Sequence, residues 1–372
     1  MSINKFFICQ LLMVILLSCD NPEVREEYEQ STELVSDAGI NESLFIRAQD
    51  FKGALTANGT KNASVYVYNR LTVNHYPGED GARKLAARIV LMGFTDVLLS
   101  VHSINGRDFA ELSNKDWVKV FNKYLKQHNV SVHALMFSEA SQFDEAKNSE
   151  IFQHASVIQQ YNLTVSDEER FAGASADWEP HTLRINSSLA DEANLKHEDR
   201  WDSGRYGKNG ANDRLLKRTG EMLEIAKSYL DEISEKYDLP RIPVNEAINN
   251  HFQELYDEGT LIHGDVSTYL KSGRCRDINV MAYNNKKEEV WRRAQSNLAA
   301  ADKNNYAKSI YICINIRIGD EGPGTSLKPQ GWDYLIETLN YLHEKASGYS
   351  SMKGISVFDY SDTEDMWINS GN

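Results

Sequence analysis

Short runs of β-branched and apolar residues recur along this chain, each followed by a stretch in which apolar residues return every three or four positions. The runs are 65–68, 96–101, 130–137, 171–176, 241–244, 278–281, 309–314 and 354–358. Runs this short read as strands, and the longer periodic stretches read as helices. The helical pattern is clearest over 81–92, 114–127, 215–237, 286–301 and 331–344. In the third of these, Met222, Ile225, Ala226, Tyr229 and Leu230 fall on one face. Strand–helix alternation on this scale implies parallel strands joined by helical crossovers. Eight such units predict an α/β fold closed into a TIM-type (β/α)8 barrel, built as a single domain. The fifth run carries Pro243 near its end, which fits a strand start better than a strand centre.

The first residues follow a different pattern. Lys5 precedes an apolar run, 6–17, that is too short to cross a bilayer as a helix. It ends in Leu16-Leu17-Ser18-Cys19, which resembles the cleavage signal of bacterial lipoproteins. Residues 1–18 are therefore expected to be a lipoprotein signal peptide, with Cys19 lipidated and the protein anchored to a membrane of the cell envelope, the outer membrane by expectation. Several acyl chains on one cysteine anchor stably, because each buried methylene contributes ~0.8 kcal/mol. Residues 19–62, polar and rich in glutamate (Glu23, Glu26, Glu27, Glu29, Glu33), read as an acidic tether, leaving 63–372 for the barrel. Acidic residues after the cysteine resemble a surface-export signal, whereas Asp20 itself resembles a retention signal for the inner membrane; the two readings stay open.

A net charge of −14 and a pI near 5.2 argue against nucleic acid as a partner, since phosphates demand a basic face. With Cys9 in the signal and Cys19 lipidated, only Cys275 and Cys313 remain, too few for a disulfide framework or a zinc site. They read as buried free thiols or as one bridge. No His-Glu-x-x-His, phosphate loop or dinucleotide fingerprint occurs, so no metal or other cofactor is expected. The protein is expected to be a monomer.

In such a barrel the chemistry gathers at the carboxyl ends of the strands. The fourth run ends in Ala176-Asp177-Trp178-Glu179-Pro180, and strand alternation puts Asp177 and Glu179 on the same side. Two carboxyl groups sharing one mouth titrate apart, so that one can remain a proton donor. Glycoside hydrolysis needs such a donor, because the leaving oxygen must be protonated while positive charge builds on the sugar.

Gly173-x-Ser175-x-Asp177-Trp178-Glu179-Pro180 resembles the fourth-strand signature of glycoside hydrolase family 18, Asp-Gly-x-Asp-x-Asp-x-Glu. Asp277-Ile278-Asn279-Val280-Met281-Ala282-Tyr283-Asn284 is similar to that family's sixth strand, Asn-Val-Met-x-Tyr-Asp. The resemblance implies a chitinase-like or endo-β-N-acetylglucosaminidase-like hydrolase acting with retention on β-linked N-acetylglucosamine in a glycan. It assigns Glu179 as general acid and then base. Asp177 would hold the 2-acetamido group and stabilise the oxazolinium formed from it, with Tyr283 bonded to the same carbonyl. Ser175, Trp178, Met281, Asn284, Asn69, Asp359, Tyr360 and Trp367 are the expected substrate-binding residues, Trp367 as an aromatic platform where the family carries a tryptophan floor.

The chain departs from the pattern at Ala172 and Ser175, which replace two of the signature's aspartates, and Met136-Phe137-Ser138-Glu139 replaces the family's third-strand Ser-x-Gly-Gly. The loss at Ser175 motivates an alternative, a barrel that binds glycan with little or no cleavage. A further alternative uses two enzymic carboxylates. Asn245-Glu246 resembles the acid/base of other retaining glycosidase barrels, with Asp320 or Glu321 near its nucleophile; the competing reading makes Asn245 the N-cap of a helix over 247–255 and is preferred. His102, at the end of the second strand, could line the sugar site. His133 reads as a satisfied core or solvent-face histidine. The polar stretch 181–213 is too long for a routine connection and is expected to cover the site, with Trp201, Arg205 and Tyr206 as contacts.

Overall fold

The structure, a computed structural model, describes residues 32–57, 62–68, 74–101, 114–202, 210–319 and 324–370. Eight strands form the centre: β1 (Asn62–Tyr68), β2 (Asp96–Ser100), β3 (Ser131–Phe137), β4 (Gly173–Ala176), β5 (Val244–Asn249), β6 (Asp277–Met281), β7 (Ile310–Asn315) and β8 (Met352–Phe358). Each pairs in parallel with the next, and β8 closes onto β1. The fold is a TIM (β/α)8 barrel. Its strands are covered on both faces, which is why they read as nearly unbroken apolar runs. Alternate residues divide between two layers. Tyr66, Leu98, Leu135, Met281, Tyr283 and Cys313 fill the interior, whereas Val65, Val67, Val97, Leu99, Ala134 and Ile312 pack outward under the helices. Cys275 and Cys313 are both buried free thiols.

The amino ends of the strands are tied by buried polar groups. The Asp96 carboxylate takes contacts from His133 Nε2 at 3.1 Å and the Tyr311 hydroxyl at 3.0 Å. Asp277 receives Lys353 Nζ and Arg276 Nε, each at 2.6 Å. His133 is thus a satisfied core histidine. It lies so close to β4 that a Cβ on Gly173 would come within 2.1 Å of its Nδ1, so only glycine fits there.

Two expectations need correction. The fifth strand is Val244–Asn249, displaced toward the carboxyl end from 241–244, and Glu246 sits inside it. Pro243 precedes the strand, consistent with its missing donor, and the helix that follows is His251–Asp257. The sequence here is ambiguous because Asn245 and Glu246 interrupt the apolar run. The acidic tether also ends earlier than residue 62. Glu42–Leu55 is a helix capped by the Asn41 side chain, which accepts from Leu44 N at 3.0 Å. Its buried face, Ala48, Phe51, Ala54 and Leu55, packs on the barrel's helices, with the Phe51 ring stacked 5.2 Å from Trp332. The periodicity was hidden by a strongly polar opposite face. The expected signal peptide and Cys19 lie outside the described residues.

Candidate active site

β4 is only four residues long, and beyond Ala176 the chain leaves it as Asp177-Trp178-Glu179-Pro180. Ser175 pairs with Leu135 of β3, an interior residue, so Ser175 and Asp177, two positions on, both turn inward. Trp178 turns the other way. It is 2% exposed, its indole Nε1 donates to Gln142 Oε1 at 2.7 Å, and its ring lies 5.7 Å from Phe137. It is therefore part of the outer core and not the sugar contact expected. Glu179 stands at the rim with its side chain 33% exposed, leading into a short 3-10 turn, Pro180–Thr182. His181 Nε2 is 3.7 Å from its carboxylate. Burial, with Arg184 and His251 adding to it, pushes the His181 imidazole down to about 4. Near neutral pH it is uncharged, so Glu179 has no cation beside it from that source.

Facing Asp177 across the interior is a group of aromatic rings. Tyr66 and Tyr68 come from β1, Tyr283 follows β6, and Phe358 ends β8. Phe358 stacks on Tyr283 with centroids 5.7 Å apart and meets Tyr66 and Tyr68 edge-on at 5.4 and 5.8 Å. The Tyr283 hydroxyl lies 3.8 Å from Cys313 Sγ. Burial above all, with the charge of Asp177 contributing, pushes the Tyr66 and Tyr68 phenols well above their ordinary value, so both remain O–H donors. Asp177 is thus within electrostatic reach of both phenols. Arg317, after β7, spreads its guanidinium over this group, 5.7 Å from the Tyr68 centroid and 5.9 Å from that of Phe358. Such contacts contribute roughly 0.5–1 kcal/mol where exposed and more where dry.

The remaining expected contacts divide. Met281 belongs to the interior layer beneath the rings. Ser175 is fully buried, and its hydroxyl has no hydrogen-bond partner among the described residues. Asn284, half-buried, uses Oδ1 to accept from Lys286 N at 3.0 Å and so shapes the turn before the helix Lys287–Lys303. Three expectations are overturned. Asp359, 2% exposed, caps the helix Tyr360–Asn369 by accepting from Asp362 N at 3.1 Å. Tyr360 is buried and donates to Glu364 at 2.8 Å. Trp367 is fully buried on that helix, donating to Leu44 O at 2.9 Å, far from its expected role as a platform. Phe358 is the aromatic residue that β8 delivers to the mouth. Trp201 is likewise core, tilted against Phe252 at 5.5 Å. Asn69, His102, Arg205, Tyr206, Asp320 and Glu321 lie outside the described residues.

Asn245 and Glu246 both lie within β5, so Asn245 is not the helix N-cap expected, and Glu246 is not a group at the mouth. The register partner of Glu246 is Ala176, so it faces outward with Ala174 and Ala176 and is 0% exposed. Burial first, then the charges of Asp177 and Glu179, pushes its carboxyl well above the usual carboxylate range. Tyr66, Tyr68, His181 and Arg317 were not picked out from the sequence. The Tyr66-x-Tyr68 alternation carried a signal, since both side chains of one strand face must enter the barrel together. Among the described residues no group of three or more His, Cys, Asp or Glu side chains could hold a metal ion.

No protein-family model matches the chain, and no curated protein matches it in sequence. Among solved structures it is similar to the PgaB (BpsB) glycoside hydrolase domain from Bordetella bronchiseptica, with a TM-score of 0.51 at 12% identity over 82% of this chain and 95% of that one. The likeness is one of fold. The barrel also aligns with a family 18 chitinase from Pseudoalteromonas aurantia, TM-score 0.47, 12% identity, over 82% and 97% of the two chains. A plant class V chitinase mutant from Cycas revoluta, solved in complex with (GlcNAc)3, aligns with a TM-score of 0.48, 12% identity and the same coverage.

Proposed function

We propose that this protein is a retaining glycoside hydrolase that cleaves β-linked N-acetylglucosamine-containing glycans with help from the substrate's own acetamido group. The observation that carries the reading is the partition at the end of β4. Asp177 enters an interior lined by phenols, Trp178 is locked into the outer core, and Glu179 is left at the solvent edge. In the proposed reaction the acetamido carbonyl oxygen attacks C1 as the C1–O bond breaks, and the Glu179 proton passes to the leaving oxygen. Asp177 accepts from the acetamido N–H and offsets the positive charge of the oxazolinium. Tyr283 donates to the same carbonyl group. Water then attacks C1, giving a proton back to Glu179, and the ring opens to the retained sugar. The shared fold with a glycoside hydrolase domain supports this reading, as does the pair of sequence motifs.

A second reading, glycan binding without cleavage, is favoured by Ser175. The residue beneath Asp177 is a buried hydroxyl and not a third carboxyl group that could share its proton. One experiment separates the two. Wild type and Glu179→Gln are incubated with chitin oligosaccharides and with high-mannose N-glycans, and products and binding are both measured. The hydrolase reading expects products from wild type and, for the variant, retained binding with turnover lost by about 100-fold or more, the range typical of a general acid. Turnover that survives the substitution removes Glu179 from its role. Binding by wild type without any product leaves the second reading.

A further inference from the structure

The peptide between the two acidic residues is fastened from both sides, and one of the fasteners is a side chain. On the β3 side, Asp177 N donates to Phe137 O at 2.8 Å, as an ordinary ladder bond. On the β5 side the ladder has already ended, because Ala176 and Glu246 are the last pair in register. There the next amide, Trp178 N, donates to the Glu246 carboxylate oxygen Oε1 at 3.0 Å. The other oxygen, Oε2, has no hydrogen-bond partner among the described residues, although the side chain is completely buried. An acid retained in this layer with one oxygen unsatisfied is costly, and an apolar residue would pack without that cost. What an apolar residue could not do is accept the Trp178 N–H.

From this geometry we infer that Glu246 is a positioning residue for the Asp177–Glu179 pair, its carboxyl group standing in for the β5 carbonyl with which Trp178, beyond the end of β4, is no longer in register. The inference rests on the proposed role of Glu179. Rotation of the chain about Trp178 would swing Asp177 out of the interior and Glu179 along the rim together, because both flank that residue. The indole, held by Gln142, anchors the side chain of that residue, and Glu246 anchors its backbone. Glu246 touches no substrate in this arrangement, since it lies behind the barrel wall.

The test uses the full chain with Glu246→Gln and Glu246→Leu, an aryl glycoside of chitobiose as substrate, and hydrogen exchange of the segment 173–180. A glutamine keeps an acceptor oxygen, whereas leucine keeps the bulk without it. For Glu246→Leu the expected result is a fall in kcat of about 100-fold, the scale of a displacement near 1 Å, with faster exchange of the segment. Glu246→Gln is expected to restore both slow exchange and most of kcat. Wild-type kcat and exchange in the leucine variant would overturn the inference, as would a glutamine variant as impaired as the leucine one. Should leucine prevent folding, Glu246→Met carries the same comparison. The exchange readout does not depend on turnover. A wild type inactive on every glycan defeats the proposed function, while loss of protection only in the leucine variant still identifies the clamp.

Discussion

His181 illustrates how burial sets the chemistry of a single residue beside the candidate acid. Its imidazole is held near 4 in the fold, against an ordinary 6.5, chiefly by desolvation. Between those values the unfolded chain binds a proton that the native protein does not, so stability must fall as pH drops from about 6.5 toward about 4. Above 6.5 both states are neutral and the contribution is complete. Replacing His181 with glutamine is expected to flatten the stability–pH curve by one proton across that window, as read by denaturant titration at several pH values. An unchanged slope would mean that His181 titrates normally. At this scale alternation is what the sequence shows, and it separates Trp178, buried in the outer core, from its neighbours Asp177 and Glu179. His181 was not legible, since its influence comes from being enclosed by residues distant in the chain. Glu246 was legible as a residue of note but not as to its role, because only the register of β4 against β5 reveals which way it points.

At the level of elements, the junction of β8 with the helix Tyr360–Asn369 shows how one polar residue serves packing where function was expected. Asp359 accepts from Asp362 N and from the Ser361 hydroxyl, at 3.1 and 2.8 Å, and so satisfies donors at the helix start. Asp359→Ala is therefore expected to cost about 1 kcal/mol of stability, the usual value of an N-cap. In a domain of this size that amounts to a Tm lowered by about 1–2 °C, measurable by calorimetry. A loss of binding with no change in Tm would return Asp359 to the substrate. The strands and long helices were readable because their periods of two and about 3.6 survive in the sequence. β5 was displaced in that reading because an inward Asn245 and an outward Glu246 break the apolar run where both faces meet buried polar groups. Trp367 was misplaced for the complementary reason. A tryptophan near the carboxyl end of a barrel strand looks available for stacking, but the helix carrying it turns the ring beneath Glu42–Leu55.

For the whole molecule, the N-terminal reading leads to a prediction independent of the site. If Cys19 carries lipid, Cys19→Ala is expected to move the protein from the membrane to the soluble fraction of cells and to abolish labelling by a fatty-acid analogue. Unaltered fractionation would exclude the lipid anchor. The barrel itself was determined locally: eight strand–helix units, each satisfying its own backbone bonds and apolar faces, leave few alternatives to closure. What the sequence by itself determined was this architecture. Only the tertiary structure decided which aromatic residues reach the mouth, which acids are dry, and which side chain replaces a backbone carbonyl beside Trp178. The physical reason is that periodicity records the environment of each residue's own face, whereas burial, register and electrostatic reach depend on strands and helices brought together from far along the chain.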